Sequence, residues 1–219
     1  GGHSGIEITK QGANSNKVLG RVLNNINWKL KIRIIGMNGG LKDNVIPRES
    51  SAVILLKDKT QAEALEDMIE EHNAILKQEY MITDSDLCVT VDNLEIEFAS
   101  DKCCDKPVCY MSRVSTDRVI SALTILPNGI QRMSSDIDNL VQTSLNLGIL
   151  ECIANEDGKN KEVTFSFSVR SSVGSEKDEL TDRLKCISEV LGGYYTCYGN
   201  YPAWEYRKNS PLRELMANI

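Results

Sequence analysis

The chain has 219 residues, 41% of them hydrophobic and 26% charged, with a formal charge of -6 and a pI near 5.1. That is enough apolar mass for one large domain or two small ones, and acids interspersed with lysines exclude the basic face of a nucleic-acid binder. No run approaches the roughly eighteen consecutive apolar residues of a membrane helix and no basic start leads into an apolar stretch, so neither an anchor nor a signal peptide is expected.

The chain opens on Gly1-Gly2-His3-Ser4-Gly5 rather than on methionine, so an excised or processed segment is expected. Residues 14–26 predict a helix with Val18, Leu19, Val22 and Leu23 inward. From 29 to 34 the residues alternate, Lys29, Lys31 and Arg33 against Leu30, Ile32 and Ile34, the period of a half-buried strand. Turn signals at Asn38-Gly39-Gly40 and Asp43-Asn44 lead to a second strand over 51–56. A helix follows, opened by Thr60 and Glu63 at capping-box spacing, with Ala62, Leu65, Ile69, His72 and Leu76 on one stripe. Residues 87–91 and 94–98 alternate as strands, and 101–109 read as a linker.

The second half repeats the order. A helix over 115–126 is followed by a turn at Asn128-Gly129 into strand residues, then strands over 145–153 and 163–169. A helix over 175–191, capped by Ser175 and Asp178 and burying Leu180, Leu184, Ile187 and Leu191, stops at Gly192-Gly193 before a strand over 194–198. The order β-α-β-β-α-β in each half predicts an α+β protein of two tandem ferredoxin-like sandwiches, antiparallel sheets with helices on one face. The expected domains are 1–100, the linker 101–109, a second unit over 110–200, and a return segment over 201–219.

Seven cysteines without a regular framework fit a reducing cytoplasm. Cys103, Cys104 and Cys109 lack paired spacing and a nearby fourth ligand, so they read as linker thiols rather than a zinc site. Of the two histidines, His72 falls on an apolar helical stripe and reads as structural. His3 stands between glycines, where nothing asks for a buried imidazole, and reads as functional. A serine-hydrolase elbow is rejected, because isoleucine occupies the place of its last glycine and no strand precedes it. Arg170 shares a strand face with Thr164, Ser166 and Ser168, where it is either a clamp for a carboxylate or ordinary surface. Asn44 is either a turn residue or a substrate contact. The acid pairs Glu70-Glu71 and Glu95/Glu97 read as solvated faces, and no phosphate-binding glycine loop is present.

Three segments taken together resemble the aminoacyl-histidine (Xaa-His) dipeptidases, co-catalytic zinc peptidases related to carnosinases and aminoacylases. They are residues 1–8, the run Asn44-Val45-Ile46-Pro47-Arg48-Glu49, and Asn128-Gly129 with Ser144-Leu145-Asn146-Leu147-Gly148. Tyr201-Pro202-Ala203-Trp204 and Ser210-Pro211-Leu212 look like the return from lid to catalytic domain, with Ala203 where that group usually has glycine. The resemblance implies a lid domain of a zinc-dependent dipeptidase, inactive by itself because the metal ligands and general base lie outside it. It implies that His3 stabilises the oxyanion and that Asn44 and Arg170 hold the substrate carboxylate. Relatives with single-unit lids draw the arginine from a second subunit; a tandem lid would internalise it, the first-unit counterpart falling near Lys57. Expected partners are the catalytic domain of the same polypeptide, a dipeptide and a second copy of the chain, with zinc in the parent enzyme, a cytoplasmic location, and neither nucleic acid nor membrane. The alternative is a non-catalytic regulatory or oligomerisation module that binds an amino acid or a protein.

Overall fold

The alternation over 29–34 identifies the buried side chains but not the backbone that buries them. In the computed structural model, which describes residues 1–94, 109–154, 161–207 and 209–217, Leu30, Ile32 and Ile34 are 9%, 0% and 0% exposed. Leu30, however, closes helix α1 (Ser15–Leu30), and strand β2 (Arg33–Gly39) opens only at Arg33. Lys31 makes the difference: it turns left-handed (φ 55°, ψ 48°) and returns its N–H to Asn27 O. Leu30 thus reaches the core from a helix and Ile32 and Ile34 from extended chain.

Helix α1 is the spine of the core. Asn14 caps it by accepting from Lys17 N at 3.2 Å, and Val18, Val22, Leu23 and Ile26 are buried, as expected. The helix α3 (Arg113–Ile125) packs on it. Lys17 reaches the C-terminal turn of α3, donating to the carbonyls of Leu123, Thr124 and Leu126, the last at 2.7 Å. Burial pushes its pKa down to about 8. At the other end of α3, Asn27 donates to Asp117 at 2.8 Å and accepts from Arg113 at 2.9 Å.

Helix α2 (Gln61–Glu79) carries the predicted stripe, with Leu65, Ile69, His72 and Leu76 buried. The predicted capping box is not formed. Asp58 takes both the N–H and the hydroxyl of Thr60, which is itself helical, so no side chain caps the helix. His72 is structural as read: Nδ1 donates to Met68 O at 2.7 Å and Nε2 accepts from Asn25 at 2.9 Å.

The strands pair antiparallel. β2 runs beside β4 (Ser50–Leu55), from Arg33↔Leu55 to Gly39↔Ser50 with a bulge between Ile34 and Gly36. It also meets the long strand β6 (Val141–Ala154) at Asn38↔Glu151 and Gly39↔Leu150, and β7 (Lys161–Ser171) pairs with β6. A separate two-stranded ladder joins β1 (Gly2–His3) to β3 (Val45–Ile46). The class is α+β as predicted, antiparallel strands with helices beside them.

The strand expected at 87–91 is not one. The segment has no ladder partner among the described residues; the amide of Asn73 accepts from Val89 N at 2.7 Å and donates to Val89 O at 2.8 Å, standing in for a neighbouring strand. Residues 95–108 lie outside the described residues, and with them the rest of the strand expected at 94–98, Glu95, Glu97, Cys103, Cys104 and nearly all of the linker 101–109.

The chain forms two compact units, Gly1–Gly129 with Leu145–Ser168, and Ile130–Ser144 with Val169–Ile219. The helix expected at 115–126 in a second repeat therefore belongs to the first unit, where it packs on α1. In the second unit, β5 (Gly129–Met133) pairs with β6, and α4 (Gly174–Val190) buries Leu180 and Leu184. Neither Ser175 nor Asp178 caps α4: Val173 holds that place, its N–H donated to Ser171 Oγ at 3.1 Å. Gly192, at φ 75°, ends the helix region as read. The strand expected at 194–198 is irregular backbone, and the return segment contains a short helix α5 (Pro211–Ala217) that the pattern did not predict.

The α1–α3 contact has a test. A Cβ at Gly20 would lie 2.7 Å from Leu123 Cβ. Gly20→Ala, worth about 1 kcal/mol of stability on an open helix face, is expected to lower stability by about 1–2 kcal/mol here. Urea unfolding reads the sign; a stabilised variant would mean that the two helices separate at no cost.

Candidate functional site

Two motifs singled out in the sequence meet in the β1–β3 ladder. Gly2 pairs with Ile46 and His3 with Val45, so His3 stands within a strand rather than ahead of the first one. The next residue locks the ladder: Ser4, buried, donates both its N–H and its hydroxyl to Asn44 O, each at 3.0 Å. His3 and Asn44 are thereby neighbours across a closed backbone.

His3 is exposed, and its ring is oriented from behind. Nδ1 accepts from Gly5 N–H at 3.2 Å, so in the neutral ring the proton sits on Nε2, facing outward. The main-chain N–H of His3 donates to Glu7 at 2.9 Å, and Glu7 in turn takes Lys10 at 2.7 Å. The Lys10 ammonium holds the Glu7 carboxyl below the usual carboxylate range. Gly2 is required here: its φ is 147°, and a Cβ would lie 2.0 Å from Glu7 Oε2.

Asn44 is half-buried and anchored on both sides. Asn146, on β6, donates through one amide nitrogen to Asp43 O at 2.8 Å and to Val45 O at 2.9 Å. Its own oxygen accepts from Asn14 Nδ2 at 3.2 Å, the residue that caps α1. Asn14 also donates to Leu147 O at 3.0 Å, and Asn128 accepts from Leu147 N at 2.8 Å. The side-chain amide of Asn44 makes no hydrogen bond among the described residues.

The loop before Asn44 lies hard against β6. Gly40 has φ 75°, and a Cβ there would meet Gly148 O at 1.8 Å; one at Gly148 would meet Asp43 O at 2.3 Å. A glycine inside a strand marks close backbone approach, and that was the signal available for this contact. Asn14, Asn128 and Asn146 carried no comparable one. Two of them stand in segments that the sequence reading had picked out, yet nothing in the pattern said that they bond to one another.

Arg170 belongs to the second compact unit, whereas His3 and Asn44 belong to the first. Val163, Phe165 and Phe167 pack on the core, which leaves Thr164, Ser166, Ser168 and Arg170 on the other face of β7, as parity predicts. The guanidinium is half-buried, and its Nε has no hydrogen-bond partner among the described residues. In the same unit Glu176 accepts from Thr143, from Gln142 at 2.8 Å and from Arg132 at 2.9 Å. These bonds, that of Thr143 first, hold its carboxyl below the usual range. Lys57 is exposed.

No three His, Cys, Asp or Glu side chains converge as a metal site among the described residues. Cys88, Cys152, Cys186 and Cys197 are free thiols. No described helix is long and apolar enough to cross a membrane.

Known proteins resemble this chain in sequence and fold. Residues 1–84 match the family model of the peptidase dimerisation domain. The chain is 32% identical over 216 residues to the cytosol non-specific dipeptidase of Escherichia coli (strain K12), a match covering 99% of this chain and 41% of that protein. The crystal structure of the aminoacylhistidine dipeptidase from Vibrio alginolyticus superimposes with a TM-score of 0.83 at 28% identity, over 99% of this chain and 41% of that one. The chain thus spans 41% of the length of each of these relatives, and the resemblance to the lid and dimerisation domains of dipeptidases holds along it.

The loop contact is tested by Gly148→Ala. A methyl 2.3 Å from a carbonyl oxygen must displace residues 40–45 or strain β6, and a stability loss of about 2–3 kcal/mol is expected. An unchanged unfolding midpoint would show that the loop gives way freely.

Proposed function

We propose that the chain is the lid and dimerisation domain of a zinc-dependent dipeptidase that hydrolyses Xaa-His-type dipeptides, and that it closes over the substrate bound by the catalytic domain of the same polypeptide. The observation that carries this reading is the ladder that sets His3 beside Asn44, each with an unused donor. Attack on a peptide carbonyl develops negative charge on its oxygen, and a fixed N–H donor at that oxygen lowers the barrier. His3 Nε2–H is such a donor, its tautomer set by Gly5. Asn44 offers two amide hydrogens to the substrate carboxylate, and Arg170, whose Nε is unpartnered among the described residues, can make a charge-assisted fork to a carboxylate.

Zinc is the metal that this reading implies for the catalytic segment. In this reading the metal ligands lie outside this chain, whose own part is to bind, orient and cover. The names of the two relatives support peptide hydrolysis, and one of them names an aminoacylhistidine substrate. The free thiols and the cytosolic relative support a cytoplasmic place of action, and the dimerisation match supports a homodimer.

In the full-length enzyme, His3→Ala is expected to lower kcat on an Xaa-His dipeptide by roughly 10²–10³, the scale for removing one oxyanion donor. Asn44→Ala and Arg170→Ala are expected to act chiefly on KM. Full activity in His3→Ala would reduce the chain to a cover or dimerisation module. Binding of a free amino acid by the isolated chain would favour a regulatory module instead.

A further inference from the structure

We infer that Asn146 is a positioning residue for catalysis, which sets the carboxylate-binding amide of Asn44 by holding the peptide groups on either side of it; this rests on the reading of Asn44 given above. An NH2 group has two hydrogens. Asn146 spends one on Asp43 O at 2.8 Å and the other on Val45 O at 2.9 Å. The two acceptors bracket Asn44, so the peptide planes before and after it are both fixed from β6. The amide cannot be turned over, because its oxygen would then face both carbonyls and lose Asn14 as donor. Asn146 is 2% exposed, so no water replaces these bonds if they are lost.

The clamp extends in two directions. Val45, whose carbonyl Asn146 holds, is the ladder partner of His3, so the same amide supports the strand that carries the imidazole. Behind it, Asn14 donates to Asn146 Oδ1 at 3.2 Å while its own oxygen accepts from Lys17 N at 3.2 Å. The position of Asn44 is thereby tied to the first turn of α1. An aliphatic side chain at 146 would fill the space without orienting a peptide plane. A misplacement of about 1 Å at a substrate-binding group costs up to roughly 100-fold in rate or binding.

The test is a double-mutant cycle in the full-length enzyme, with kcat and KM for a dipeptide as readouts. Asn146→Ala is expected to raise KM roughly 10- to 100-fold and to change kcat less. In the Asn44→Ala background the same substitution is expected to add nothing to KM, because the group it positions is gone; an effect through His3 would appear in kcat. Should Asn146→Ala fail to fold, Asn14→Ser keeps the cap on α1 but removes the donor to Asn146, and the same cycle is run with it. If the KM effects of the two single variants multiply in the double, the positioning role is wrong and Asn146 is merely structural. If Asn44→Ala leaves KM unchanged, the reading of Asn44 as a substrate contact fails first, and the positioning role falls with it.

Discussion

A buried amide has two N–H donors and a carbonyl oxygen to satisfy, and no water to take them. Asn146 places all three, on Asp43, Val45 and Asn14, and the arrangement of the first unit around the site depends on it. The loop over 40–45 can lie against β6 only where Gly40 and Gly148 leave room. It stays there because two of its carbonyls have a buried donor. Each carbonyl left without one would cost about 1–3 kcal/mol, so a shift of the loop is opposed by more than packing. β3, β1, Ser4 and His3 then follow from where that loop sits.

Helix α1 joins this polar corner to the apolar core. Its cap, Asn14, belongs to the asparagine cluster, while Val18, Val22, Leu23 and Ile26 belong to the core. Lys17, between them, is half a cap for another helix: its ammonium satisfies carbonyls at the end of α3 that have no intrahelical partner. Burial disfavours the charge and the carbonyls favour it. The polar corner around Asn146 is therefore tied, through Asn14 and Lys17, to the same helix that carries the apolar core.

What was legible in the sequence was what depends on period. The inward faces of α1 and α2 and the buried members of 29–34 follow from spacing alone. What was not legible was the choice among competing local partners. Lys29 to Ile34 read as a strand because alternation of burial survives a helix end followed by extended chain; Lys31 in the left-handed region leaves no mark in a pattern of apolar residues. Thr60 does not cap α2 because its own backbone is already helical, and its hydroxyl and N–H are turned to Asp58. Residues 87–91 alternate like a strand because Leu87 and Val89 do pack on the core, but Asn73 supplies the hydrogen bonds that a strand would have supplied. The same holds for the asparagine clamp, where each member is an ordinary turn or strand residue until the fold brings it to the others.

The two histidines show why unused bonding capacity separates structure from function better than position does. His72 has both ring nitrogens engaged, by Met68 and Asn25, and has nothing left to offer. His3 has one engaged, by Gly5, and the bond it makes determines that the other carries a proton. The same distinction runs through the asparagines. Asn14 and Asn146 are spent on the frame, whereas the side chain of Asn44 is not, although its backbone is held more tightly than theirs needs to be. In the proposed reading this suits a ligand contact, because a main chain already fixed lowers the entropy that binding would otherwise have to overcome. Arg170 also keeps an unused donor, since its buried Nε has no hydrogen-bond partner among the described residues, and in the proposed reading a substrate carboxylate would take it up.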